Sequence, residues 1–297
     1  QGASMTIGLL GAGALGSVLT ARLVQGGAEV VLIADGVRAE RLHRGLQVVG
    51  LTQFREALAV QSTPEGCDWL LLCTKSWQLE PLLPRLEAWC VPVVACQNGL
   101  LAIDALTDTL DAGNVAGFVT GLGAARRPDG SVLHAGDGYA VLGAAVGAPT
   151  AALQLLRDAF SAGGIEATLT SDLPGELWLK AIANNAINPV AALAGVPNGA
   201  LREGALRERA RAACREGAAV AATLEITLPG DAWARALEIM ERTAENRCSM
   251  LQDLEARRPT EIDSITGAIV RRGRRTGVAT PVSEALLHAV REREVHF

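Results

Sequence analysis

Thr6-Ile7-Gly8-Leu9-Leu10-Gly11-Ala12-Gly13-Ala14-Leu15-Gly16 runs from an apolar strand into the pattern G-x-G-x-x-G. Ile7 to Leu10 reads as a buried strand, and Val18, Leu19, Ala21, Arg22 and Leu23 continue as a helix ended by Gly26-Gly27. Each glycine has its own task in that reading. Gly11 permits the tight turn, Gly13 lets backbone approach a pyrophosphate, and Gly16 lets helix and strand pack closely. The unpaired N–H groups and positive dipole end of the helix then face the phosphates. Glu29-Val30-Val31-Leu32-Ile33-Ala34 follows as a second strand, with Asp35 at its end, about twenty residues past the last glycine. Strand, glycines, helix, strand and acid in that order point to a dinucleotide-binding βαβ unit. The competing reading is a tight βα turn that binds nothing.

The pattern continues outward from this unit. A short helix over 38–44 leads to Leu46-Gln47-Val48-Val49, predicted as a third strand, and small edge strands are expected within 52–60. Trp69-Leu70-Leu71-Leu72-Cys73-Thr74 is a continuous apolar run, as expected of a parallel strand covered on both faces. A helix to about residue 89 and a strand over 91–96 come next. Strands alternating with helices imply right-handed crossovers and an open parallel sheet of Rossmann type. Ligands bind such sheets at the carboxyl ends of the strands, where Lys75 and Asn98 lie beside the glycine turn. Either residue alone is equally well read as polar punctuation of a turn.

Further on, a strand is expected over 115–120, a turn over 124–130, and two short strands over 131–134 and 139–142 that extend the sheet antiparallel. A helix over 150–162 and a strand over 165–169 complete a first domain, 5–170. From Pro174 on only helical periodicity remains, so 171–297 reads as an all-α second domain. The fold class is α/β, a doubly wound sheet followed by helices. Gln1 to Ser4 precede Met5 and read as an appended remnant.

Composition narrows the function classes. At 297 residues with 49% hydrophobic and 20% charged residues, the chain has core material for two domains. A net charge of −5 and 3% aromatics argue against a nucleic-acid partner. The six cysteines form no C-x-x-C pair and have no histidine at metal-ligand spacing, so they read as reduced thiols of a cytoplasmic protein and no metal site is expected. No apolar segment reaches membrane-span length and no secretory signal leads the chain. Monomer and homodimer are equally compatible with the Ala-rich helices.

Two polar lines mark the helical half. Lys180, Asn184 and Asn188 stand at i, i+4, i+8 and share one face of an otherwise apolar helix, which Pro189 should break with a kink. That composition suits a pocket wall, or equally a satisfied structural network. Asn246, Ser249 and Asp253 follow i, i+3, i+7 and are expected on one face. Pro259-Thr260-Glu261 should start another helix with Ile262, Ile265 and Ile269 as its buried stripe, placing Glu261 in the first turn. Arg271, Arg272, Arg274 and Arg275 are expected as a solvated face near the helix C-terminus.

Six motifs occur in order: G-A-G-A-L-G at 11–16, C-T-K-S-W-Q at 73–78, Q-N-G at 97–99, E-L-W-x-K-x-x-x-N-x-x-I-N-P at 176–189, E-N-x-x-S-M-L-Q-D at 245–253 and T-E-I-D at 260–263. The set resembles the ketopantoate reductase family, whose members reduce 2-dehydropantoate to pantoate, and the resemblance spans nearly the whole chain. It implies that Lys180 protonates the alkoxide formed as hydride arrives, and that Glu261 orients Lys180 or meets the substrate hydroxyl. It implies that Asn98, Asn184, Asn188, Asn246 and Ser249 hold a small 2-oxo acid, with Asp253 in support. Gly11, Ala12, Gly13, Ala14, Leu15 and Gly16, with Lys75, Asn98 and Ala124, would line the dinucleotide. Family members usually carry a basic residue at the end of the second strand, paired with the 2′-phosphate of NADPH. Here that position is Asp35, which favours NADH, while Arg38 and Arg41 just downstream offer a phosphate partner. NADPH is the expected cofactor, with NADH the alternative. A paralogue acting on another branched 2-oxo acid, and a non-catalytic dinucleotide sensor on the same fold, are the competing functions.

Overall fold

A computed structural model describes residues 5–296; Gln1 to Ser4 and Phe297 lie outside the described residues. The described residues divide into two compact units, 5–97 with 102–173, and 98–101 with 174–296.

The first unit is built on twelve strands, β1 Thr6–Leu10, β2 Glu29–Ile33, β3 Leu46–Gly50, β4 Phe54–Glu56, β5 Val60–Gln61, β6 Trp69–Leu72, β7 Val93–Ala95, β8 Val115–Thr120, β9 Gly123–Arg126, β10 Val132–Gly136, β11 Ala140–Ala144 and β12 Ala167–Thr170. Its helices are α1 Ala14–Gln25, α2 Gly36–Leu42, α3 Leu83–Trp89, α4 Leu101–Thr109 and α5 Ala151–Ala162. Eight strands form the main sheet in the order β12-β11-β8-β7-β6-β1-β2-β5. Pairing is parallel from β5 to β8, β11 runs antiparallel to β8, and β12 is parallel to β11. The order reverses at β1, which lies between β2 and β6. That is the topological switch point where such sheets take their ligands.

Side-chain alternation explains the layering. Ile7, Leu9, Val30, Leu32, Trp69 and Leu71 pack on one face with Val18 and Leu19 of α1 and Leu153 and Leu156 of α5. Leu10, Val31, Ile33, Leu70 and Leu72 pack on the other with Leu86 of α3 and Leu106 of α4. Both faces are covered, so the strands are apolar without interruption.

Three features of this unit depart from the sequence reading. The strand at 46–49 exists, as β3, but it leaves the parallel sheet. It joins β4, β9 and β10 in a separate four-stranded sheet of order β4-β3-β10-β9. Of the two strands expected to extend the main sheet, only β11 does so. Val48, Phe54 and Val132 of the small sheet bury against the α1 face, which a helix would otherwise cover. The helix expected to reach residue 89 is divided into two 3-10 turns, Ser76–Gln78 and Glu80–Leu82, followed by α3. Pro81 and Pro84 lack the N–H groups that a continuous ladder needs.

The second unit is helical, with α6 Leu173–Ala194, α7 Gly204–Thr223, α8 Ala232–Arg242, α9 Ser249–Glu255, α10 Thr266–Thr276 and α11 Pro281–Glu294, and a 3-10 segment at Asn198–Arg202. Ile182, Ala186, Ala213, Val220, Met240, Ile262, Ile269 and Leu287 lie in one core. Alanine and glycine let these helices approach: Gly217 of α7 sits where a Cβ would be 3.0 Å from Ile182 of α6. α6 continues through Pro189 to Ala194 instead of breaking after Asn188. The missing N–H removes one rung of the ladder, and the wholly buried surroundings of residues 185–192 hold the helix together across it. Among the described residues no helix is long and apolar enough to cross a membrane.

Candidate active site

In the first unit the glycine turn sits at the carboxyl ends of β1 and β6. Gly11 has φ of +103°, and a Cβ there would lie 2.5 Å from the Thr74 amide nitrogen. A Cβ on Gly16 would collide with the Gly11 carbonyl and come within 3.1 Å of Cys73 Cβ. Protein packing therefore accounts for both residues. Gly13 is different: a Cβ there would meet only the Gly11 carbonyl oxygen, at 3.9 Å. No protein atom needs Gly13 to be a glycine, so the space beside it fits a group brought from outside. Gly13 is also the N-cap of α1, which has no side-chain cap and no acid in its first turn. Uncapped amides in such a turn suit a pyrophosphate.

The first unit also carries the other residues expected to line a dinucleotide, except Asn98, which belongs to the helical unit. Ala12, Ala14 and Leu15 are half-buried, and Ala124 lies on β9 opposite His134 of β10. Lys75 is half-buried at the start of a 3-10 turn, its backbone N–H donating to Gln78 Oε1 at 3.1 Å. Asp35 and Arg38 are exposed. Asp35 accepts from Arg85 Nη2 at 2.9 Å, and the Arg85 guanidinium lies 4.8 Å from the Trp89 ring centroid. Arg126 Nη2 donates to the Ala12 carbonyl at 3.0 Å. The sequence reading missed both arginines. Arg85 follows two prolines and has no spacing signal. Arg126 was included in a turn because Pro128-Asp129-Gly130 follows; the turn itself is confined to Arg127–Gly130, closed by Gly130 N–H to the Arg127 carbonyl at 3.0 Å.

In the second unit α6 carries Lys180, Asn184 and Asn188 along one face, with Lys180 and Asn184 half-buried and Asn188 6% exposed. Asn185, off that line, is fully buried and donates to the Ala213 carbonyl and Ser283 Oγ, each at 3.1 Å. It ties α6 to α7 and α11 and is structural. Cys248 Sγ donates to the Asn188 carbonyl at 3.5 Å and accepts from Leu251 N–H at 3.4 Å. This fixes the start of α9, and with it Ser249, beside Asn188. Asn246 does not share a helix face with Ser249 and Asp253, because α9 begins only at Ser249. Asn246 lies in the preceding turn, its carbonyl accepting from Asn198 N–H at 3.0 Å. Asp253 is buried and accepts from Arg258 Nε at 3.2 Å and Nη2 at 3.1 Å.

Glu261 also differs from expectation. It precedes α10, which starts at Thr266, so it is not a first-turn carboxylate of that helix. It sits in a tight turn whose Ser264 and Ile265 N–H groups donate to the Glu261 carbonyl at 3.2 and 3.1 Å. Ile262, Ile265 and Ile269 are buried as expected. The Glu261 side chain is 6% exposed and accepts from Asn98 Nδ2 at 2.9 Å. Ser264 Oγ donates to the Asn98 carbonyl at 3.0 Å, and Leu100 N–H to the Ser264 carbonyl at 2.9 Å. Residues 98–101 thus form a strap belonging to the helical unit. Arg272 is not on a solvated face: half-buried, it donates to the Leu100 carbonyl at 3.4 Å and lies 5.8 Å from the Trp178 ring centroid.

All six cysteines are free thiols. Burial pushes Cys214 up to about 12 and Cys248 up to about 11. A hydrogen bond with Cys96, together with burial, holds the Cys73 thiol well above its ordinary range. Cys73, Cys214 and Cys248 are therefore neutral thiols at neutral pH.

A sheet that reverses at β1, with an uncapped helix start behind an open glycine, defines a Rossmann-type dinucleotide protein joined to an all-helical second unit. The family follows from comparison. Residues 7–147 match the model described as ketopantoate reductase PanE/ApbA, and 172–294 match its C-terminal counterpart, so the chain belongs to the ketopantoate reductase family. The 2-dehydropantoate 2-reductase of Archaeoglobus fulgidus is 35% identical over 95% of this chain and 96% of its own. Among solved structures, a PanE/ApbA family ketopantoate reductase from Ralstonia eutropha superposes with a TM-score of 0.87 at 29% identity, covering 98% of this chain and 99% of the other. D-mandelate dehydrogenase in a ternary complex with NADH and anilino(oxo)acetate gives 0.90 at 27% identity, again over 98% and 99%.

Proposed function

We propose that this chain reduces 2-dehydropantoate to pantoate with a reduced nicotinamide dinucleotide, in the pantothenate pathway of the cytoplasm. The observation that carries the reading is the match of both units to the ketopantoate reductase models, with the open Gly13 in one unit and Lys180 in the other. The first unit takes the dinucleotide role and the helical unit the substrate and catalytic role. The bound cofactor supplies the hydride that converts the C2 carbonyl to an alkoxide. Lys180 stabilises that growing negative charge as an ammonium and then gives its proton to the oxygen. Glu261, hydrogen-bonded by Asn98, orients Lys180 or receives the substrate hydroxyl. Asn184, Asn188, Asn246 and Ser249 hold the acid, and Asp253, paired with Arg258 at the end of α9, supports them. Gly11 to Gly16, Lys75 and Ala124 line the dinucleotide, with NADPH as the donor.

The likeness to D-mandelate dehydrogenase and the carboxylate of Asp35 favour a second reading: a paralogue that reduces another 2-oxo acid with NADH. One experiment separates the two. Oxidation of NADPH and of NADH is followed at matched concentrations with 2-dehydropantoate and with branched and aromatic 2-oxo acids. The first reading expects the highest kcat/KM with NADPH and 2-dehydropantoate; a higher value with NADH and an aromatic 2-oxo acid establishes the second.

A further inference from the structure

The glycine turn carries an excess of positive charge on the α1 side. The N-terminus of α1 has the partial positive charge of its uncapped amides and no acid in its first turn. Directly over it, Arg126 Nη2 donates to the Ala12 carbonyl at 3.0 Å, and its Nη1 donates to the Gly130 carbonyl at 3.4 Å. Arg41 of α2 converges on the same place, its Nη2 being 3.9 Å from where a Cβ on Gly130 would stand. Asp129 of that turn, which accepts from Ser131 N–H at 3.0 Å and Oγ at 2.6 Å, sets one carboxylate against these two guanidinium groups. Two guanidinium groups beside a helix N-terminus favour an anion in the space they share.

The opposite sign is drawn off the other way. Asp35, the residue whose carboxylate would oppose a phosphate on the ribose, is held by Arg85 at 2.9 Å. Arg85 belongs to α3, which packs on the sheet face opposite α1. Asp35 follows β2 and Ala12 follows β1, so both border the crevice where the adenosine ribose of a dinucleotide lies.

We propose that Arg126 of β9, assisted by Arg41, is the specificity-determining cation for the 2′-phosphate of NADPH, in place of a basic residue at the end of β2. The inference rests on the dinucleotide role of the first unit. A guanidinium suits the task because its planar donors engage two phosphate oxygens at once. Because Arg126 is exposed, its replacement leaves the core untouched.

Calorimetric titration of the full chain with NADP+ and NAD+ tests this on wild type, Arg126→Met and Arg126→Lys, with thermal unfolding as a check on folding. Arg126→Met is expected to weaken NADP+ by about 10-fold or more and NAD+ by less than about 3-fold, with Arg126→Lys between wild type and Met. Equal losses for both nucleotides, no loss for either, or a wild type that prefers NAD+ overturns the assignment. A wild type that binds neither nucleotide overturns the dinucleotide reading itself, and the inference with it.

Discussion

At the scale of single residues, the proposed chemistry is assigned to groups whose partners lie far away in sequence. Glu261 and Asn98 are 163 positions apart, yet their side chains meet at 2.9 Å in the helical unit. Each was recognisable by type and motif, but nothing in the spacing pairs them, because a strap of four residues leaves the sheet to join the helices. His134 is another residue that the sequence leaves without a role. It is buried, 2.8 Å from Thr52 Oγ1 through Nδ1 and 3.3 Å from Asp137 Oδ1 through Nε2. Burial lowers its pKa below the ordinary 6.5, Arg22 adds to that, and Asp137 opposes it. The folded state therefore prefers neutral imidazole, while the unfolded chain takes up a proton below about 6.5. The stabilisation is complete above that value and is lost as pH falls below it. Urea unfolding of wild type and His134→Asn between about pH 7.5 and 5 should show the wild-type free energy falling more steeply, by up to about 1.4 kcal/mol per pH unit. Parallel curves for the two proteins would exclude His134 as a source of acid sensitivity.

At the scale of elements, the glycine turn divides into structural and ligand-facing positions. Gly16 is required by the Gly11 carbonyl and by Cys73 Cβ, whereas Gly13 is required by nothing in the protein. Gly16→Ala should cost about 1–3 kcal/mol of stability through overpacking. Gly13→Ala should stay within about 1 kcal/mol of wild type while weakening dinucleotide binding about 10-fold or more. Thermal unfolding and calorimetric titration of the two variants measure both quantities. An unstable Gly13→Ala, or one that binds normally, contradicts the division. The main strands and α1 were legible because apolar runs and glycine spacing are local signals. The four-stranded sheet was not, since β3 pairs with β10 over eighty positions away and its alternation is equally that of a main-sheet edge. The starts of α9 and α10 were placed too early for a related reason. Cys248 caps α9, and the turn at 261–265 continues the apolar stripe of α10 without being part of that helix.

At the scale of the whole molecule, the chain combines a sheet unit whose switch point is left open with a helical unit whose polar line is set in an apolar surround. The six motifs anticipated that combination because three mark the ends of strands, one a helix face, and two the turns that lead into helices. Composition alone could not have done so, since low charge and few aromatics describe many enzymes. What the motifs did not reveal is the distribution of arginines: Arg85, Arg126 and Arg272 reach their carbonyl, carboxylate and ring partners only through tertiary packing. The account stands on Lys180 as the proton donor. Its most direct test is the rate at which Lys180→Ala oxidises NADPH in the presence of 2-dehydropantoate, alongside calorimetric affinity for NADPH. The expected result is a kcat lower by about 10²- to 10⁴-fold with NADPH affinity unchanged. A variant that turns over at the wild-type rate would contradict it.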